Sequence, residues 1–124
     1  MIKTFSNAQL YAFSNNLNSA FSNETRYLPA KVSYFILKNK NKIFEQAENI
    51  EQTRMNIIKH YGTLSADGAR YDIDNEHVEE ANKELAELLA ITQDIDISMI
   101  NLSDLLNLDF TLEQMEALAF MIEE

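Results

Sequence analysis

Leu10, Phe13, Leu17, Ala20 and Phe21 recur at three- and four-residue steps, the spacing of one face of a helix. Ser6-Asn7 stands just before this run and predicts its N-cap, so the first helix extends to about Phe21. The polar stretch Ser22-Asn23-Glu24-Thr25 predicts a loop. Pro29 then suits the first turn of a second helix, where its missing N–H has no partner to lose. Nothing breaks the helical pattern from Ala30 to Tyr61, and Gly62 is a natural stop. This predicts a helix roughly 48 Å long at about 1.5 Å per residue. Val32, Ile36, Ile43, Ala47, Ile50, Ile57 and Tyr61 form one stripe on it; Leu37, Phe44, Met55 and Ile58 form a second on another flank. A helix with two apolar strips is expected to be covered on two sides and to be the spine of the fold. The first and third helices are each about half as long and can lie along it in tandem.

After Gly62 the period changes. Ala66-Asp67-Gly68 signals a turn, with Thr63–Ser65 and Ala69–Ile73 as short hairpin strands. Asp74-Asn75 then caps a third helix from Glu76 to about Ile91. Its expected buried face is Val78, Ala81, Leu85, Leu88 and Leu89, with Glu76, Glu80, Lys83 and Glu87 in water. Ile95, Ile97 and Met99 alternate with polar residues, a period of two that predicts a strand, able to join the hairpin as its third member. Ser103–Leu106 predicts one helical turn. Thr111-Leu112-Glu113-Gln114 is a capping box opening the last helix, with Phe110 and Met115 placed for a hydrophobic staple. Leu112, Met115, Leu118, Ala119 and Ile122 are its expected inner face. These elements predict a predominantly helical α+β fold: about four helices, one very long and central, and a small two- or three-stranded antiparallel sheet. Residues 1–124 read as a single domain.

Charge adds what hydropathy does not. Residues 1–61 carry eight Lys/Arg and four Asp/Glu; residues 62–124 carry two and sixteen. The halves are therefore +4 and −14, within a net −10. Such a split makes an electrostatic dipole unless the fold lays one half on the other. An acidic chain repels nucleic acid, which makes direct DNA or RNA binding unexpected. No apolar run approaches the ~20 residues of a membrane span. Met1–Phe5 lacks the layout of a signal peptide. The chain has no cysteine, hence no disulfide and no thiolate metal site, and a cytoplasmic location is expected.

The residue types that carry catalysis are sparse, and no catalytic residue, cofactor site or metal site is predicted. His60 lies in the last turn of the long helix, where the dipole favours a cation, and His77 reads as a surface residue beside Glu76 and Glu80. Asp72, Asp74 and Glu76 alternate as in a calcium loop. His77 then replaces the required Gly and Lys83 the bidentate Glu, so no calcium site is expected. Gly62 and Gly68 alone make no phosphate loop. Lys31, Lys38 and Lys42 share a helix face while Lys40 points elsewhere. That strip reads as a contact for phosphate or an acidic partner, a solvated face, or a dock for the chain's own acidic half. Arg54 falls on the apolar stripe and is expected to snorkel to its edge or to pair with an acid of the second half. The acidic face, with Glu76, Glu80, Glu84 and Glu87 as candidate partner-binding residues, has three readings: solubility, docking on a basic protein, or mimicry of a phosphate backbone.

Three stretches, Tyr27–Phe35, Arg54–Gly62 and Phe110–Leu118, taken in order resemble small helical accessory proteins encoded by phages and prophages of Firmicutes, a mostly uncharacterised group. The likeness covers about Leu10 to Glu124. Its motifs are structural, so it carries over no functional residues. It implies a phage-encoded accessory made in a bacterial host cytoplasm and working by binding a host or virion protein. The expected function is therefore non-enzymatic protein binding through the acidic half, with inhibition of a host defence or regulatory protein among its forms. The alternative is a structural or assembly accessory of the virion acting by self-association, with Leu37, Phe44 and Met55 as the interface of a homo-oligomer.

Overall fold

Everything in the fold is arranged along one helix. In the computed structural model, which describes residues 1–124, the chain runs β1 (Ile2–Ser6), α1 (Asn7–Phe21), α2 (Ala30–Tyr61), β2 (Gly62–Leu64), β3 (Tyr71–Ile73), α3 (Val78–Ala90), β4 (Thr92–Asp96), β5 (Ile100–Asn101), α4 (Leu112–Leu118) and β6 (Ile122–Glu123). Short 3-10 turns precede α3 and follow β5 and α4. The architecture is α+β and predominantly helical, and α2, at 32 residues, is the long helix the sequence predicts. Gly62 ends it, but not through a left-handed cap. Its backbone is extended (φ −122°) and passes straight into β2. A Cβ at this position would stand 2.6 Å from the Ile58 carbonyl oxygen and 2.8 Å from that of Asp72, so glycine is what lets β3 lie this close.

The buried face of α2 is Val32, Ile36, Asn39, Ile43, Ala47 and Ile50. Helix α1 packs on it antiparallel, with Tyr11 reaching Glu51 near one end and Leu17 beside Ile36 near the other. Ser6 caps α1 in a capping box with Gln9, a pairing already spelled by Ser6-Asn7-Ala8-Gln9. Helix α3 packs near the far end of α2, where His77 meets Tyr61. The buried Asn7 joins the two short helices end to end. Its side chain donates to Leu88 O (2.9 Å) and accepts from Gln93 (2.7 Å), while its backbone N–H donates to Ile91 O (2.8 Å). The tandem arrangement brings the start of α1 to the end of α3, a favourable alignment of dipoles.

Three small two-stranded sheets replace the single one expected. The hairpin β2–β3 forms as predicted, turning at Gly68 (φ +73°). Strand β4 does not join it. It pairs antiparallel with β1, from Ile2 opposite Asp96 to Ser6 opposite Thr92. Strand β1 has no counterpart in the period-two pattern, and Phe5 is its one buried side chain. The C-terminus also departs from expectation. Helix α4 stops at Leu118, tightens into a 3-10 turn, and Ile122 becomes strand β6, parallel to β5. Pairing with β5 pulls these last residues out of helical register. The buried positions are therefore Gln114, Ala117, Leu118 and Met121, while Leu112 and Ala119 face water. The predicted box is present: Gln114 N–H donates to Thr111 Oγ1 and Thr111 N–H to Gln114 Oε1, each at 3.1 Å.

Two polar knots hold these pieces. Asn39, in the middle of α2, is 0% exposed. Its amide donates to Ser98 O and accepts from Ser98 N–H, both at 2.8 Å, and also reaches Met121 Sδ at 3.3 Å. Arg26 makes the second knot. It grips both carboxylate oxygens of Glu24 (2.8 and 2.9 Å) and donates to Leu108 O and Asp109 O. Asp109 sits at φ 54°, the left-handed region that aspartate enters more readily than most residues. Gln114 closes the knot by donating to Glu24 and to Ala20 O.

Each knot yields an expectation. Asn39→Ala strips two backbone groups of their partner and should cost about 2–4 kcal/mol. Urea denaturation measures it, and a loss below about 0.5 kcal/mol would mean that water replaces the amide. At Glu24, Arg26 and then Gln114 hold the carboxyl pKa down to about 2 from 4.5. A depressed carboxylate stabilises the fold above its unfolded pKa and loses that contribution as pH falls. Stability should thus decline as pH drops from 4.5 through about 2. Glu24→Gln should flatten that decline in acid-denaturation curves; identical curves would show that Glu24 is not linked to it.

Candidate functional site

Glu76, Glu80 and Glu84 lie four residues apart and Glu87 three further on, so the 3-10 turn Asn75–His77 and α3 present them on one side. All four are exposed. The face of α3 that touches the protein is narrower than expected: Ala81 and Leu88 are buried and Leu85 half-buried, but Val78 and Leu89 remain exposed. A 13-residue helix leaning on one end of α2 covers only a thin seam.

The chain's cations do not cover this face. Glu84 and Glu87 make no ion pair, and Lys83 makes none. The one ion pair linking the two charge halves joins the Met1 amino group to Asp96 at 3.0 Å. Lys42 donates to Asp96 O at 2.7 Å, and the nearby ammonium groups of Met1, Lys42 and Lys38 hold the Asp96 carboxyl below its ordinary range. Lys31 and Lys40 lie over the rings of Phe35 and Phe44 instead. Arg54 also departs from expectation. Its partner is not an acid of the second half but Glu51, one turn back on α2 (2.8 and 2.9 Å). Glu51 in turn accepts from Tyr11 at 2.9 Å. At this level α2 is flanked by the start of α1, whose Tyr11 shares Glu51 with Arg54.

His60 is exposed at the end of α2, its ring 4.6 Å from that of Tyr61. His77 is not the free surface residue expected; it is half-covered beside Tyr61, 5.8 Å between ring centroids. Its Nδ1 is covered and has no hydrogen-bond partner. The nearest carboxylates are Glu76 at 3.6 Å and Glu80 at 3.7 Å. Asp74, Glu76 and His77 offer ligand atoms within 4.8 Å of one another, the nearest thing here to a cation-holding set. The first turn before a helix carries the positive end of its dipole, which opposes a cation there. Asp74 is engaged by the Thr63 hydroxyl (2.8 Å) and Asp72 by Arg70 (2.9 Å).

The second apolar strip of α2 is divided. Leu37 is 54% exposed. Phe44 is half-buried against the core. Met55 is half-buried in a hollow shared with Leu64 and Tyr71. The hairpin, not a helix, covers that end. No helix is long and apolar enough to cross a membrane. Comparison with protein-family models, curated proteins and solved structures gives no match to this chain.

The acids of α3 leave a mark on Tyr61. Glu84 beside its hydroxyl, with Glu80 and Glu87 further off, raises the phenol pKa above its ordinary 10.0. Glu84→Gln should lower it toward that value in a tyrosinate titration followed by NMR. No change would place Glu84 away from the hydroxyl.

Proposed function

We propose that this protein is a non-catalytic, protein-binding accessory of a phage or mobile element. It docks on a basic protein surface of its host through Glu76, Glu80, Glu84 and Glu87. Inhibition of a host defence or regulatory protein is the form of action that such docking suits.

One observation carries this reading: the +4 and −14 halves do not neutralise each other in the fold. The acidic face stays exposed on α3 and the 3-10 turn before it, its carboxylates aligned and without Lys or Arg partners. An uncompensated field of one sign steers a partner of the other. At ~0.15 M salt it decays over about 8 Å, so it acts at close approach. A protein partner fits better than a nucleic acid, which the same field repels.

Pull-down from host lysate at low salt, with wild type and with all four glutamates changed to Lys, tests the reading. The wild type should retain a partner that the variant loses. Purified partner should bind the wild type with an on-rate that falls as salt rises. Equal retention by both proteins, or an on-rate indifferent to salt and to the reversal, would reduce the acidic face to a solubilising surface.

A further inference from the structure

The other end of the molecule carries an apolar surface that nothing in the fold covers. Leu17, Phe21, Leu28, Ile36 and Leu37 line a slot of about 210 Å³ between α1 and the start of α2. Lys40 and Glu24 stand at its rim. Beside it, the Arg26 knot ties the loop before α2 to the loop before α4. Glu24 lines both this slot and the cleft beneath the first turn of α4, so the two features adjoin. On that first turn Leu112 is 76% exposed, flanked by the acids Glu113 and Glu116. Tyr27, next to Arg26 in the same clasped loop, is 88% exposed. Large apolar side chains this free, gathered at one end, mark an interaction surface.

We propose that the occupant of this surface is a second copy of the chain, in a two-fold dimer that seats Leu112 of each copy in the slot of the other. The surface is complementary to itself. It holds an apolar knob, Leu112, flanked by Glu113 and Glu116, and an apolar slot with Lys40 at its rim, whose ammonium now rests on the Phe44 ring and can turn to a carboxylate of a docking copy. A two-fold contact requires both halves of a complementary pair on a single surface, because residue i meets j while j meets i. The one acid at the slot is no obstacle: Glu24 is already bonded to Arg26 and Gln114. Leu37 belongs to this contact, whereas Phe44 and Met55, half-buried elsewhere along α2, do not. The proposal is independent of the acidic face of α3.

Sedimentation velocity across a concentration series is the first test. The wild type should pass from 14.3 kDa to twice that mass. Leu112→Asp and Leu37→Asp, at positions exposed within one copy, should each weaken dimerisation by about tenfold or more, as loss of a central apolar anchor does. Reversal of Glu76, Glu80, Glu84 and Glu87 should leave the dimer intact, which separates this proposal from the docking reading. Because the chain has no cysteine, cross-linking is unambiguous. A mixture of Leu37→Cys and Leu112→Cys proteins should form a disulfide-linked pair on mild oxidation, and neither alone should do so efficiently. A strict monomer at high concentration overturns the proposal. So does a dimer that survives both Asp substitutions, or cross-linking by Leu37→Cys alone as fast as by the mixture.

Discussion

A single buried amide decides how the acidic half of this chain meets the basic half. Asn39 sits where the apolar stripe of α2 is deepest, fully enclosed, and both ends of its side chain are spent on the backbone of Ser98. A polar group at such a depth is tolerated only when its hydrogen bonds are complete. Leaving it unpaired is costly, so the amide admits few arrangements of the segment against it. With Ser98 pinned, Ile97 and Ile100 enter the core on either side, and β4 and β5 lead away in fixed directions. Met121 packs against the same amide, and β6 then pairs with β5. The strands at both termini are thus placed from the middle of α2.

That constraint explains the electrostatics. The contacts between the halves near Ser98 are made by apolar side chains, by backbone, by the Lys42 bond to Asp96 O, and by the single Met1–Asp96 ion pair. They are not made by matched rows of charge. The acids of α3 are carried to the far end of α2, where Lys59 lies over the Tyr71 ring and Arg70 is held by Asp72. Arg54 is taken by Glu51, which also accepts from Tyr11. The fold thereby preserves the separation of charge that the sequence carries instead of cancelling it.

What was legible in the residues was whatever local chemistry decides. The bounds of α2 follow from Pro29, Gly62 and an unbroken 3.6-residue period, and the start of α4 from Thr111 and Gln114 satisfying each other. Partners distant in sequence were not legible. Nothing near Ile95 says that its strand pairs with Phe5's rather than with the neighbouring hairpin, since both offer the same backbone groups. Asn39 reads as one more polar residue among Lys38, Lys40 and Asn41, although its angular position on the stripe of Val32, Ile36 and Ile43 was a signal that it is buried. Ile122 looked helical because two turns of a capped helix precede it; a strand two residues long is below what periodicity resolves. At the candidate site, the alignment of Glu76, Glu80, Glu84 and Glu87 could be read from spacing alone. Their lack of cationic partners could not, because it depends on where Arg54 and the lysines end up.

The two surfaces lie at opposite ends of α2, and the distance between them matters. Leu37 and Tyr61 are 24 residues apart on one helix, which is about 36 Å at 1.5 Å per residue. This is several times the screening length at physiological salt. The carboxylates beside Tyr61 therefore exert almost no field at the apolar end, and a second copy docking there would meet mainly the local charges of Lys40, Glu113 and Glu116. A net charge of −10 would otherwise argue against self-association, because like-charged copies repel. Placing Glu76, Glu80, Glu84 and Glu87 at the far end of a rigid rod removes their share of that opposition. In a dimer joined at the slot, the two acidic faces would point outward at the two ends. A partner with two basic patches, or two partners held close together, would then be engaged twice, and the second contact would form at the high effective concentration set by the rigid spacing.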